Sequence, residues 1–392
     1  MKRGKARNRL LDFYIGVPVL NLLALLRHKR IFPHPARRIG IMVNPALGDT
    51  LLASAVTQDL RSAFPHSTLI FFAAPSNLAA ARLLPEIDLL KVIPITRPWR
   101  AVRVLRQSNL DILVDFTAWQ RLTALFSLYS GAKFVIGFAR QKQFRHRGYD
   151  TVLPHLGTCH ELENIRRITR YLGVKEHFPP RLNLPLTSPQ EARSQPEHIV
   201  VFHAWATGTF RSFREWPGEN WVELAKRLHT PQRTFLLTGG PGDLDRCEVL
   251  KQKILAAGIP VDVLIGRQRL EEVAMTLERA EMLISVNTGI MHLGAILGVP
   301  TIALNGPTSE HRWGPVGPRI ANVPTSDGSG GFLDLGFEFR QRNVMGKISV
   351  DAVLEAVELL CPSERATGPI SHSSRESYRK HNGSEFLHEA LE

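Results

Sequence analysis

Residues 39–73 read IGIMVNPALGDTLLASAVTQDLRSAFPHSTLIFFA, and three segments separate within them. Ile39–Asn44 is an apolar run of strand length. Asp49–Phe64 carries apolar residues at helical spacing and stops before Pro65. Thr68–Ala73 is a second apolar run, rich in β-branched and aromatic residues. Two such strands joined by one helix form a βαβ unit, with parallel strands and a right-handed crossover.

The same texture extends outward. Helices are expected at Ser76–Leu84, Trp99–Gln107 (strongly basic), Ala118–Tyr129 and Glu161–Leu172, and strands at Lys91–Ile95, Ile112–Phe116 and Lys133–Ile136. Pro179–Pro196 holds five prolines and reads as a linker. The alternation then restarts: strands at His198–His203, Thr234–Thr238, Val261–Ile265, Met282–Val286 and Thr301–Leu304, helices at Gly218–Leu228, Leu244–Ala257, Leu270–Ala280, Ile290–Leu297 and Val350–Leu360. The fold class is therefore α/β: two Rossmann-like, doubly wound parallel-sheet domains facing a cleft. They occupy 38–180 and 198–361, joined by the Pro-rich linker 181–197. Residues 1–37 form a basic and apolar head, and the Ser-, His- and charge-rich tail 362–392 is expected to be disordered.

A chain of 392 residues exceeds what one core supports, and 44% apolar composition excludes disorder throughout. Three dispersed cysteines, Cys159, Cys247 and Cys361, argue against a disulfide scaffold or a Cys-rich zinc site and fit a reducing cytosol. The net charge of +13 is concentrated in the head, where residues 1–38 hold ten basic side chains against Asp12. Between the basic clusters lies Leu10–Leu26, LLDFYIGVPVLNLLALL. Arg27-His28-Lys29-Arg30 is the wrong sequel for a secretory signal, and the run is short for a membrane span. An interfacial helix on anionic lipid is expected, and a helix packed on the protein's own surface is the alternative. The basic residues flank an aliphatic block instead of stacking aromatics, so no nucleic-acid partner is expected.

Four strand-to-helix junctions carry candidate chemistry. In Asn44–Thr50, Gly48 permits a tight turn and Asp49 opens the helix. Asp is a favoured N-cap, and a carboxylate there is held ionised, able to take a proton but a weak base. The carboxyl edge of an open α/β sheet is where ligands bind, so capping and proton abstraction both stand for Asp49. In Ser285–His292, SVNTGIMH, Asn287 or Thr288 can cap and Gly289 lets a ligand approach the backbone. His292, one turn in, can add a donor to an anion at the helix N-terminus, or can simply face the core. Ala206–Trp216, ATGTFRSFREW, offers Thr207, Gly208 and Thr209 with Arg211 and Arg214 for a phosphate, or forms a solvated loop. Gly239-Gly240-Pro241-Gly242 precedes Asp243 and Asp245, which can bind ribose hydroxyls or cap the next helix. There is no G-x-G-x-x-G, Walker A lysine, G-x-S-x-G or H-E-x-x-H, and no metal-ligand spacing among the histidines.

In order along the chain, these motifs resemble glycosyltransferase family 9, the ADP-heptose:lipopolysaccharide heptosyltransferases. The likeness rests on 39–73, PEIDLLKVIP at 85–94, VFHAWATGTFRSFREWPGENWVELAKRL at 201–228, TGGPGDLDR at 238–246, LEEVA at 270–274 and SVNTGIMHLGAILGVPTIALNGPTSEHRWGP at 285–315, and covers roughly residues 38–360. It implies a GT-B fold with the acceptor side N-terminal and the nucleotide-sugar side C-terminal, inverting at the anomeric carbon with no cofactor and no obligatory metal. By position it makes Asp49, beside Gly48, the general base. Thr288, Gly289, His292 and Asn287 would hold the donor diphosphate. Arg214 stands where the family usually has Lys and would neutralise the leaving phosphate, with Thr207 and Thr209 near it. Asp243 or Asp245, with Gly240, would meet the nucleoside. Arg97, Arg100, Arg103 and Arg106, and Arg140, Lys142, Arg145 and Arg147, would face a phosphorylated lipid-linked glycan acceptor, or form a solvated helix face and loop.

The implied activity is transfer of a heptose or related sugar from ADP-heptose to a lipopolysaccharide core or related surface glycan. The implied place is cytoplasmic, peripheral on the inner face of the inner membrane, with residues 1–38 on the anionic surface. Two departures bear on this: Asn287 stands where many members have Asp, and the His203–Trp216 loop is longer than in the best-known members. Both leave another nucleotide sugar open as donor, and Asn287 leaves a second reading, a catalytically silent member that binds nucleotide sugar or lipid glycan at the membrane.

Overall fold

The structure, a computed structural model, describes residues 14, 16–24, 29–118, 120–141, 143–184, 197–208, 211–266, 268–333 and 343–362. These residues form two six-stranded sheets, parallel throughout. The first contains β1 (Arg38–Met42), β2 (Thr68–Ala73), β3 (Leu89–Val92), β4 (Ile112–Asp115), β5 (Phe134–Ala139) and β6 (Thr151–Pro154), in the order β3-β2-β1-β4-β5-β6. The second contains β7 (Glu197–His203), β8 (Thr234–Gly239), β9 (Val261–Ile265), β10 (Ala280–Val286), β11 (Thr301–Asn305) and β12 (Ile320–Pro324), in the order β12-β11-β10-β7-β8-β9. Both follow one doubly wound plan, with the strand order reversing between β1 and β4 and between β7 and β10.

Right-handed crossovers put helices on both faces of each sheet. On one face of the first sheet lie α2 (Leu47–Ala63), α3 (Leu78–Ala81) and α6 (Glu161–Tyr171). On the other lie α1 (Gly16–Ala24), α4 (Pro98–Arg106) and α5 (Arg121–Tyr129), through Leu20, Ala101, Leu105, Ala124 and Phe126. The second sheet carries α7 (Gly218–Leu228), α8 (Leu244–Ala256), α9 (Leu270–Arg279), α10 (Gly289–Ile296), α11 (Glu310–Trp313) and α12 (Val350–Leu360). Leu51 of α2 and Ala80 of α3 pack with Val201, Ala274, Leu277 and Leu293, so a buried apolar seam joins the two halves on the α2 side.

Most elements match the sequence periodicity to within a residue or two. The edge strands β6, TVLP, and β12, IANVP, are additions. Each is short and half-buried at a sheet margin, so neither shows the continuous apolar run that marks the inner strands. The described part of Leu10–Leu26 packs on α5 and on the 3₁₀ turn Arg145–Gly148, with Leu20 buried. That is the self-packed alternative for one face of the helix; Tyr14, Pro18 and Leu22 on the other face are exposed. Among the described residues no helix is long and apolar enough to cross a membrane. Most of the 181–197 linker, nearly all of the 362–392 tail and residues 1–13 lie outside the described residues.

Candidate functional site

The first turn of α2 corrects the reading of Asp49. The helix opens at Leu47 with Ala46 at the N-cap, a residue without a capping oxygen. Asp49 is thus the third helical residue, half-buried, with Asn44 Nδ2 3.4 Å from its Oδ1. A carboxylate in a first turn lies in the favourable field of the helix N-terminus without being used as its cap.

Gly48 is likewise helical and does not make the turn. A Cβ there would lie 2.8 Å from His292 Cδ2. Reciprocally, a Cβ on Gly289 would lie 2.6 Å from the Leu47 side chain. The two motifs, Leu47-Gly48-Asp49 and Asn287–His292, are therefore brought together as the abutting N-termini of α2 and α10. Both glycines serve this close approach.

At α10, Thr288 occupies the N-cap position but makes no capping bond, and its buried hydroxyl has no partner. His292 is 4% exposed, and its Nδ1 also has no partner. Burial pushes the His292 imidazole down to about 3, and His160 nearby adds to this, so the ring is neutral at physiological pH. Histidine thus faces the interior, yet with an unpartnered nitrogen next to a helix N-terminus. Unpartnered buried polar atoms cost about 1–3 kcal/mol each, so finding two together is unusual outside a ligand site. Asn287 is placed differently: its Nδ2 donates to Asn305 Oδ1 at 2.7 Å and to the Trp313 carbonyl at 3.0 Å, and Asn305 Nδ2 continues to Asn322 Oδ1 at 2.8 Å. The amide supplies two donor hydrogens that a carboxylate would lack.

The joint that holds these helices together escaped sequence reading. Arg312 of α11, 3.2 Å from Glu161 Oε2, also donates to the Leu156 carbonyl at 2.8 Å. His155 Nε2 lies 3.1 Å from both Glu161 oxygens, and all three side chains are buried. His160, which caps α6 through Nδ1, lies with Nε2 3.0 Å from the Gly314 carbonyl. Arg312, Trp313 and Gly314 thus tie the first sheet's half to Asn287. The partners across the joint, Arg312 with Glu161 and Leu156 and Gly314 with His160, are separated by more than a hundred residues, and no local pattern signals such pairing.

The remaining predicted residues are more dispersed. Arg214 is half-buried and donates to the Thr207 carbonyl, and Gly208 between them has φ +99°. Thr209 and Lys142 lie outside the described residues. Asp243 accepts from Gly240 N at 2.9 Å and pairs with Arg246, which also bonds Glu215. Asp243 stands at the N-cap of α8 but makes no side-chain capping bond to it: one oxygen holds the Gly240 turn and the other pairs with Arg246, whereas Asp245 is exposed. His203, at the end of β7, is pushed down to about 4 by burial and contacts Thr238 Oγ1 at 3.0 Å.

On the acceptor side, Arg97 and Arg100 are exposed at the start of α4 beyond β3, and half-buried Arg140 follows β5. By strand order they flank Asp49 two strands to either side, on one edge of the sheet. Arg145 does not join them. It is fully buried, pairs with Asp115 Oδ2 at 3.2 Å and bonds Thr117 and Tyr149. Among the described residues no three His, Cys, Asp or Glu side chains cluster as a metal site.

Comparison with known proteins bears on the family and the fold. The sequence model of glycosyltransferase family 9 (heptosyltransferase) matches residues 98–329. Lipopolysaccharide heptosyltransferase 1 of Escherichia coli K12 is 35% identical over 299 residues, 69% of this chain and 88% of that protein. Lipopolysaccharide heptosyltransferase 3 of Escherichia coli is 24% identical over 338 residues, 81% of this chain and 97% of that protein. The solved structure of the E. coli ADP-heptose lps heptosyltransferase II shares the fold, with TM-score 0.67 at 18% identity, over 84% of this chain and all of that one.

Proposed function

The chain belongs to glycosyltransferase family 9, and from that premise we propose that it moves a heptose from ADP-heptose to a lipopolysaccharide core or related surface glycan. The observation that carries this is the apposition of the Leu47-Gly48 opening of α2, which leads into Asp49, with the α10 N-terminus, where Thr288 Oγ1 and His292 Nδ1 are buried without partners. The donor's diphosphate accepts hydrogen bonds there from the first-turn N–H groups, the Thr288 hydroxyl and a neutral His292 N–H. Arg214, braced on Thr207, adds positive charge, and Thr209, two residues on in the sequence from Thr207, adds a hydroxyl. Asp245 meets the ribose hydroxyls, while Asp243 fixes the Gly240 turn beneath the nucleoside.

The acceptor's hydroxyl loses its proton to Asp49 as its oxygen attacks the anomeric carbon. The bond from that carbon to the diphosphate breaks, and ADP leaves with the charge that α10, His292 and Arg214 stabilise. Attack opposite the leaving group inverts the anomeric centre. Arg97, Arg100 and Arg140 hold acceptor phosphates on the rim. Asn287, engaged with Asn305 and Trp313, supports the loop and is asked for no chemistry, so its replacement of Asp does not silence the enzyme. The enzyme works on the inner face of the inner membrane, with the basic head on anionic lipid.

The test is a titration of ADP, UDP, GDP and CMP into the protein, followed by transfer from ADP-heptose to a lipid-linked core acceptor. ADP is expected to bind tightest, and Thr288→Val to weaken it about tenfold, the loss of one hydrogen bond to a charged group. Tighter binding of another nucleotide overturns the donor assignment.

A further inference from the structure

Resting on the membrane reading above, we propose that the lipid-docking surface is the outer layer α1–α5–α4 of the first sheet, not the N-terminal head alone. This layer covers the face opposite the α2–α3 seam, so it points away from the second half of the chain. An ordinary surface helix turns a polar stripe outward. Here α1 turns out Tyr14, Pro18 and Leu22 at four-residue spacing, with Tyr14 69% and Leu22 66% exposed. Neighbouring α5 shows half-buried Leu122 and Leu125 with exposed Tyr129. On the other flank, α4 shows Trp99, 85% exposed, beside exposed Arg100, Arg103 and Arg106.

The charge of the segment commits the surface to an anionic bilayer. Leu89–Tyr149 holds eleven basic residues against two acidic ones, Asp111 and Asp115, and both of these are buried. No carboxylate from this segment reaches solvent to offset the arginines. The charge excess assigned to the head thus has a second concentration in the fold, offset by acidic residues elsewhere in the chain. Aromatic rings with an apolar centre and an arginine flank match the headgroup boundary, where rings settle and Arg meets lipid phosphate. So placed, the layer holds Arg97 and the Asp49 edge close to a lipid-borne acceptor.

The test uses the full chain with phosphatidylcholine vesicles, with and without phosphatidylglycerol, at low salt. The wild type is expected to sediment with the anionic vesicles, and Arg103→Glu/Arg106→Glu to lower partitioning tenfold or more. Brominated lipid is expected to quench tryptophan emission in the wild type and much less in Trp99→Phe. Both variants alter exposed residues, and unchanged thermal midpoints confirm that they fold. If the wild type binds anionic vesicles, and neither the double variant nor the Trp99 quenching differs from it, the surface assignment is overturned and the head remains the anchor. If the wild type binds no vesicles, the membrane reading itself falls and this inference with it. If the layer is covered by a second copy, the wild type sediments as a dimer without lipid and Trp99→Phe emission is insensitive to brominated lipid, which also overturns it.

Discussion

The two sheets share one strand plan, and they differ at the same place within it. At the end of β4, beside the first reversal, Asp115 accepts from Tyr149 Oη at 2.7 Å and Ser127 Oγ at 3.0 Å and pairs with Arg145. Arg145 adds bonds to Thr117, Thr123 and Tyr149, leaving Nε as its one atom without a partner. Burial pushes the Tyr149 hydroxyl well above its usual range, so it stays a donor. Just past β10, the corresponding strand, Thr288 Oγ1 and His292 Nδ1 are equally buried and have no partner. One corner spends its polar groups on the fold; the other leaves two of them without a protein partner, where we place the donor diphosphate. A shared topology says where a site can lie, and the pairing of buried polar atoms separates a corner built for the fold from one with polar atoms to offer a ligand.

The comparison breaks most sharply by mutation of each corner. Arg145→Met leaves Asp115 buried without its cation, so unfolding in urea is expected to show a loss of about 3–5 kcal/mol. Thr288→Val removes a hydroxyl that bonds nothing in the protein, so its stability cost is expected to be under about 1 kcal/mol while ADP affinity falls. Similar stability losses for the two variants would erase the distinction.

A smaller effect is expected at the joint. Glu161→Gln leaves Arg312 and His155 facing an amide, for a loss of about 2 kcal/mol. Because this joint seats α10 against α2, the donor KM is expected to rise by more than kcat falls. A stability loss with an unchanged donor KM would confine Glu161 to packing.

A further effect is a slope with pH, spread over several units instead of confined to one variant. His292 at about 3 and His203 at about 4, with His160 lowered in the same direction, are neutral when folded and take protons more readily when unfolded. Their contribution is fully present above the unfolded value near 6.5 and is lost as pH falls toward 4 and below. The limiting slope is about 1.4 kcal/mol per pH unit for each of His292 and His203. Equilibrium unfolding from pH 7 to 4 checks this, and His292→Gln is expected to flatten the slope; an unchanged slope would show that the ring titrates alike in both states.

What the sequence disclosed follows from how local each feature is. Inner strands such as Thr68–Ala73 announce themselves because both faces are buried, and helices such as Gly218–Leu228 because their stripe is periodic. The strand-to-helix junctions located Asp49, Thr288 and His292, since parallel sheets place their ligand edge there. The role of Gly48 was not legible: it admits His292, 244 positions away. Arg145 read as one of four surface cations, because spacing carries no signal of a buried partner at Asp115. The Arg312–Glu161–His155 joint exists only once the two halves are packed.

The central claim is that Asp49, next to the Gly48–His292 contact, takes the acceptor proton. The direct measurement is transfer from ADP-heptose to a lipid-linked acceptor by Asp49→Asn, with ADP binding measured on the same sample. Transfer is predicted to fall by about 10²–10⁴-fold while ADP affinity stays within about twofold; undiminished transfer would contradict the account.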